Sequence, residues 1–244
     1  MRSSQDVAKR ALCLAALVTR AQAEYQLYPA PGDVPSSEKV IDAAFAVSIE
    51  EWLKKDGLWE ALSAKEKILF EKPLGTWNKQ EIADGQWRAE SLVVLLWSLR
   101  PGEAMPPYDQ LASSSSIMNA VTPPSGSRKF ISGAKLRDVD EIARTRDVAE
   151  LWLWRARTTR IIKEGVRPPK GYTFQKIISM TVEKATKDGL FQPIEGDFPA
   201  FHKSYAKLTD EEWETMNSIS TERLYGLNWL CGYSDDWDRV PLET

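Results

Sequence analysis

Histidine and cysteine are almost missing from this sequence: His202 stands alone, and Cys13 and Cys231 are the only two thiols. That scarcity excludes multi-cysteine zinc sites, two-histidine metal sites and His-Glu-x-x-His chemistry. Each cysteine lies in an apolar helical stretch, where a buried free thiol is expected rather than a bridge. No glycine-rich phosphate loop follows a strand, and there is neither a nucleophile elbow nor an EF-hand loop. Charge of one sign is also lacking. The net charge is −3, with no basic patch, so nucleic acid is not an expected partner. No apolar run approaches membrane-spanning length, so no membrane partner is expected either. Nothing here calls for a cofactor or a metal, and no residue is assigned a catalytic role.

What the chain does have is material for a core. Its 244 residues are 43% hydrophobic and 27% charged, ordinary values for a globular protein. Ten tryptophans are unusual, and core packing explains them better than aromatic cages do. The stretch Trp87–Leu99 reads as a helix apolar nearly all round, which belongs inside a core. Glu90 interrupts it, and an unpaired carboxylate there would be costly.

The remaining pattern is helical. Arg2, Lys9 and Arg10 precede the apolar run Ala11–Val18, which superficially resembles a leader peptide. Helical spacing of Val7, Ala11, Leu14 and Val18, with Ser3 and Asp6 as a capping pair, favours a first helix of the folded domain. A proline-rich connector comes next, then a helix capped by Ser36-Ser37 and stopped at Gly57. Capping boxes at Ser63–Glu66, Asn78–Glu81 and Thr209–Glu212 each announce a helix. Residues 101–135 form a long irregular excursion rich in serine and proline. Asp138–Glu141 opens a long helix to about Lys163, expected to lie against the central one. Tyr172–Asp188 and Ile219–Cys231 supply two more, the last stopping at Gly232. A short hairpin around Glu195–Asp197, within about 190–201, is the only strand signal. The fold class is therefore all-α, a mainly helical bundle in one domain over residues 1–244.

Polar residues on apolar faces are the candidate site. Arg223 shares a face with Leu227 and Leu230 on the last helix, and its planar guanidinium suits Glu90. A Glu90–Arg223 pair is expected, with Arg155 and Arg137 as rival partners. Such a pair is either a structural ion pair that sets helix register or the floor of a ligand pocket. Arg137 and Asp138 can also bind an anion at the start of the long helix. Asn228 reads as a satisfied buried amide, and Asp238 as the acceptor of a local hydrogen bond, with Trp237 pinning the tail. His202 reads as a surface or half-buried side chain.

Several of these residues fall in a pattern that resembles the DUF4272 family of uncharacterised, mainly bacterial proteins. They are Arg2-Ser3, the Trp87-x-x-Glu90-x-Leu-x-x-Leu-Leu-Trp97-x-Leu99 core, Pro106, Leu136-Arg137, the helix Arg223-x-x-x-Leu-Asn-Trp-Leu230, and Trp237-Asp238-x-Val240. The resemblance covers nearly the whole chain except residues 110–135, and the block Glu222–Tyr233 with Trp237-Asp238 is its most specific part. It implies a helical, intracellular domain but no activity, and it marks Glu90, Arg137, Arg223, Asn228 and Asp238 as positions to test.

The residues support two functional readings. The first is a cytoplasmic, non-catalytic binding or interaction protein, whose partner is another protein or a small-molecule ligand; exposed aromatics on one helix face would point to a homodimer. The second is an enzyme with an open carboxylate–arginine pocket built from Glu90, Arg137 and Arg223. The candidate polar cluster common to both is Glu90, Arg137, Arg155, Arg223, Asn228 and Asp238.

Overall fold

Helix starts are where the sequence speaks most clearly, because each needs a side chain to satisfy orphan backbone amides. The computed structural model describes residues 1–27, 48–113, 117 and 126–243. Helix α1 (Ser4–Leu27) begins with the amide of Asp6 donating to Ser3 Oγ at 3.2 Å. Residues 48–55 form α2. The expected start of that helix at Ser36-Ser37 lies outside the described residues. Helices α3 (Ala64–Glu71) and α4 (Lys79–Ser98) open on complete capping boxes at Ser63/Glu66 and Asn78/Glu81. A short α5 (Ser127–Gly133) precedes α6 (Val139–Lys163), whose first amides donate to Asp138 Oδ1. Then come α7 (Phe174–Lys187) and α8 (Asp210–Cys231), the latter opened by the Thr209/Glu212 box and closed by left-handed Gly232. The fold is mainly helical, with one two-stranded hairpin. Among the described residues no helix is long and apolar enough to cross a membrane.

Packing runs in a chain of neighbours: α1 lies on α4, α4 on α8, and α8 on α6. The long helix α6 therefore packs mainly against α8 rather than against the central helix as expected. Residues 210–231 form one helix, where two were expected. Met216, Ile219, Arg223, Leu224, Leu227 and Leu230 keep an unbroken three-to-four spacing on its buried side, and no proline intervenes. Helix α1 is as deeply buried as α4, with alanines at 8, 11, 15, 16, 21 and 23 inside. Its alanines let α4 approach closely. A Cβ built on Gly85 would come within 2.7 Å of Ala21 Cβ and 3.2 Å of Trp77 Cζ3.

The strands sit later than the predicted hairpin. Pro199–Ala200 (β1) pairs antiparallel with Lys203–Ser204 (β2), so the loop is Phe201-His202. Both residues have positive φ, 51° and 60°, the geometry of a two-residue type I′ turn. The predicted Glu195 region is itself a tight turn, Glu195-Gly196, closed by an Ile194–Asp197 bridge. In the expected excursion, residues 101–113 are indeed without helix, whereas α5 occupies 127–133; residues 114–116 and 118–125 lie outside the described residues.

The close α1–α4 contact and the buried thiol are both open to test. Gly85→Ala gains about 1 kcal/mol of helix propensity but overpacks the α1–α4 contact at a cost of about 1–3 kcal/mol. The urea midpoint should therefore fall, while Gly133→Ala, where a Cβ meets nothing within 4 Å, should leave it unchanged or raise it. Burial pushes the Cys13 thiol up to about 12, so almost no thiolate forms near neutrality. With N-ethylmaleimide at pH 8, half-buried Cys231 should be modified first and Cys13 only after unfolding, as read by peptide mass spectrometry.

Candidate functional site

Each buried guanidinium here needs a carboxylate and enough acceptors for its remaining donors. Arg223, fully buried on α8, meets Glu90 on α4: its Nε donates to Glu90 Oε2 at 2.9 Å. Its Nη1 donates to the carbonyls of Pro106 (2.6 Å) and Pro107 (3.0 Å), and its Nη2 to that of Gln110 (2.8 Å). The other oxygen of Glu90 accepts the amide of Ala112 at 2.6 Å. The pair thus does more than join two helices. It pins the irregular segment 106–112 over them.

Arg155 on α6 does the same for a second loop. Its Nε and Nη2 form a fork on Asp197 Oδ1 and Oδ2 at 2.8 and 2.6 Å, the bidentate geometry that makes such pairs strong. Asp197 also accepts the amides of Phe198 (2.8 Å) and Ala206 (3.1 Å). One carboxylate therefore gathers both ends of the hairpin. The two pinned loops meet where the amide of Phe201 donates to Asp109 Oδ2 at 2.8 Å.

Between these loops and α6 lies a cleft of about 540 Å³. Its apolar surface comes from Pro107, Tyr108, Val148, Trp152 and Phe191, with Arg144 and His202 also lining it. Tyr108 stacks on Trp152 at 5.1 Å between centroids, 16° from parallel, and Phe198 meets the same indole edge-on at 5.1 Å. The Arg223 guanidinium lies 5.0 Å above the Tyr108 ring. Burial pushes the Tyr108 phenol up despite that charge, so the ring stays neutral. Arg144 and His202 are exposed. Phe201 and His202, forced to positive φ at the tip of the hairpin, carry backbone strain that persists only where the surroundings enforce it.

The candidate residues do not form one cluster. Glu90 and Arg223 are paired and sealed, 2% and 0% exposed. Arg137 caps the end of α4: its Nε donates to Trp97 O at 2.6 Å, its Nη2 to the carbonyls of Arg100 and Glu103, and it pairs with Glu141. It is neither a rival for Glu90 nor a free anion site. Arg155 belongs to Asp197. Asn228 is a satisfied buried amide, accepting from Arg146 Nε and donating to Pro241 O, both at 2.8 Å. The hydrogen bond to Asp238 is not local: Asp238 accepts the amide of Lys65 at 3.0 Å and so supports the start of α3 from the other end of the chain. Trp237 is buried against Tyr225 and Trp229 as the tail's anchor. Sequence reasoning missed Asp197, Tyr108 and Phe191. Their neighbours are distant in sequence, and only Arg155, a charge in the apolar middle of the long helix, hints that an acid must come to it. Among the described residues no group of three His, Cys, Asp or Glu side chains is placed to hold a metal ion.

These features define a mainly helical protein in which buried arginine–carboxylate pairs pin two loops around an aromatic cleft. The chain belongs to the family described as Domain of unknown function (DUF4272), whose model matches residues 1–171. The block Glu222–Tyr233 with Trp237-Asp238, the most specific part of the resemblance in sequence, lies outside that match. No curated protein and no solved structure matches the chain.

Removing one partner of such a pair strands a buried charge, at about 3–5 kcal/mol. Arg223→Met should lower stability by that order and speed amide exchange across 106–112. Arg155→Met should do so across 197–206 and spare 106–112. Hydrogen exchange read by mass spectrometry checks the two patterns against each other.

Proposed function

We propose that this is a cytoplasmic, non-catalytic binding protein whose ligand occupies the aromatic cleft between the two pinned loops. The observation that carries this reading is the division of labour at the site. The charged residues best suited to chemistry, Glu90 and Arg223, are sealed and fully engaged with the backbone beneath the cleft. The surface left open is concave and largely apolar, formed by Pro107, Val148, Leu190 and half-buried Phe191 over the buried rings of Tyr108 and Trp152, with a few polar groups beside them. Its volume lies in the range that takes small molecules. Stacked rings held on rigid supports offer contact area at little cost in conformational entropy. An enzyme using Glu90, Arg137 and Arg223 would need those groups open to substrate, and their burial favours binding instead.

The cleft is tested by filling it. Val148→Phe, and independently Thr145→Phe, each place a ring into the space from α6, and circular dichroism verifies the fold. Binding of the neutral probe N-phenyl-1-naphthylamine should weaken at least about tenfold, a loss of about 1.4 kcal/mol, in whichever variants remain folded. Probe binding indifferent to both substitutions would place the ligand elsewhere. Turnover of any member of a broad hydrolase panel, lost in a folded Glu90→Gln variant, would overturn the non-catalytic reading.

A further inference from the structure

The charges around the cleft are unevenly satisfied. Asp109 already accepts the amide of Phe201. The acids of α6 nearest the opening, Asp147 and Glu150, are both contacted by Arg146. With Asp140 and Asp188 they line a neighbouring groove between α6 and α7; Arg144 lines both that groove and the cleft, whose own lining carboxylate is Asp109. Arg144, exposed on α6, differs from the buried arginines of that helix. Its guanidinium has no hydrogen-bond or ion-pair partner among the described residues, and it lines the cleft on the α6 side while His202 lines it from the hairpin. Arg137, Arg146 and Arg155 on or beside the same helix are all engaged. A guanidinium at the edge of an apolar cleft, without a partner among the described residues, is a recognition element for a planar group that ends in an anion.

We propose that the cleft takes an aromatic or flat apolar molecule bearing a carboxylate or sulfonate-like anionic group. The flat body lies against the half-buried ring of Phe191 and the parts of buried Tyr108 and Trp152 that reach the cleft, and Arg144 holds the anion, with the imidazole of His202 as a second donor. This rests on the cleft being the binding site. It adds the chemical class of the ligand and the residue that selects for it. Because the anion is held at the exposed edge, affinity for it falls as salt screens the Arg144 charge, whereas the apolar contact does not.

Three naphthalene probes separate the two claims: 8-anilinonaphthalene-1-sulfonate (anionic), N-phenyl-1-naphthylamine (neutral) and a naphthyl-trimethylammonium salt (cationic). The anionic probe should bind tightest and the cationic one weakest. Arg144→Gln, a substitution at an exposed helical position, should weaken the anionic probe about tenfold, the loss expected for one charge-assisted hydrogen bond near the surface, and leave the neutral probe unchanged. Raising salt should reproduce that selective loss in the unsubstituted protein. Equal affinity for anionic and neutral probes, tighter binding of the cation, or indifference of the anionic probe to Arg144→Gln would each overturn the anion assignment. In those cases a neutral probe still excluded by Val148→Phe or Thr145→Phe leaves the cleft standing as the site. If no probe binds, or none responds to filling the cleft, both claims fall.

Discussion

An arginine taken out of water must bring a counter-charge and a set of acceptors with it, and this protein's architecture reflects that requirement throughout. Arg10, Arg20, Arg155 and Arg223 are each at most 3% exposed, and each meets a buried carboxylate: Glu66, Glu24, Asp197 and Glu90. One carboxylate cannot satisfy five guanidinium donors. For Arg155 the surplus goes to the Thr159 hydroxyl; for the other three it goes to backbone carbonyls. Arg10 reaches Ala61, Arg20 reaches Lys72, and Arg223 reaches Pro106, Pro107 and Gln110. Irregular chain can therefore lie over the bundle with several of its carbonyls satisfied, although Arg10 Nε, Glu66 Oε1 and the Tyr108 hydroxyl stay buried without a hydrogen-bond partner among the described residues. The pairs contribute little as net attraction, since desolvation offsets most of it. Their value lies in deciding where each loop sits.

That logic changes what Glu90 means. Alone on an apolar helix, a carboxylate suggests a reactive group at the bottom of a pocket. In the folded chain it is the base on which one wall of a cleft is built, while the cleft itself opens a layer further out. Pinning both loops also holds the cleft's rings in one arrangement, which would lower the ordering cost of the binding proposed there. Strain at Phe201-His202 fits the same account. A bulky pair occupies a turn that favours Asn-Gly, and it stays there because Asp197 gathers the hairpin's ends and Asp109 holds its tip.

The local features of this fold were legible in the sequence, and the long-range ones mostly were not. Ser63/Glu66, Asn78/Glu81 and Thr209/Glu212 declared their helices because a capping box is complete within four residues. Gly232 declared its stop because one left-handed position is enough. The Glu90–Arg223 pair was legible for another reason: two charges on two otherwise apolar faces had few alternatives. Asp197 offered no such contrast. It sits among turn residues, where aspartate is ordinary, and only the arrival of Arg155 from 42 positions away makes it structural. Asp238 was misread for the same cause, since a short acidic tail suggests local hydrogen bonding and carries no sign of Lys65. A capping box at Thr209–Glu212 and a separate apolar run from Ile219 suggest two helices where one runs from Asp210 to Cys231, and placing α6 against α4 takes the most apolar helix as the hub. Alanine-rich α1 is less apolar yet buried as deeply, because small side chains permit the closest approach.

The extent of the family match bears on how these pairs work. Residues 1–171 carry Glu90 and Arg155, while Arg223 and Asp197 lie beyond them. Each of the two pairs that shape the cleft thus joins the matched stretch to the remainder of the chain. Likewise, Tyr108, Arg144, Val148 and Trp152 lie inside the match, whereas Phe191 and His202 lie outside it. One side of the cleft is therefore built from the matched stretch and the opposite loop from the later segment, and the two are registered by buried ionic contacts rather than by a shared helix. A change in the later segment that kept Asp197 would preserve the hairpin's anchorage while altering the lining of the cleft. Loss of Asp197 would leave Arg155 buried without its partner, so anchorage and core stability cannot be separated at that position.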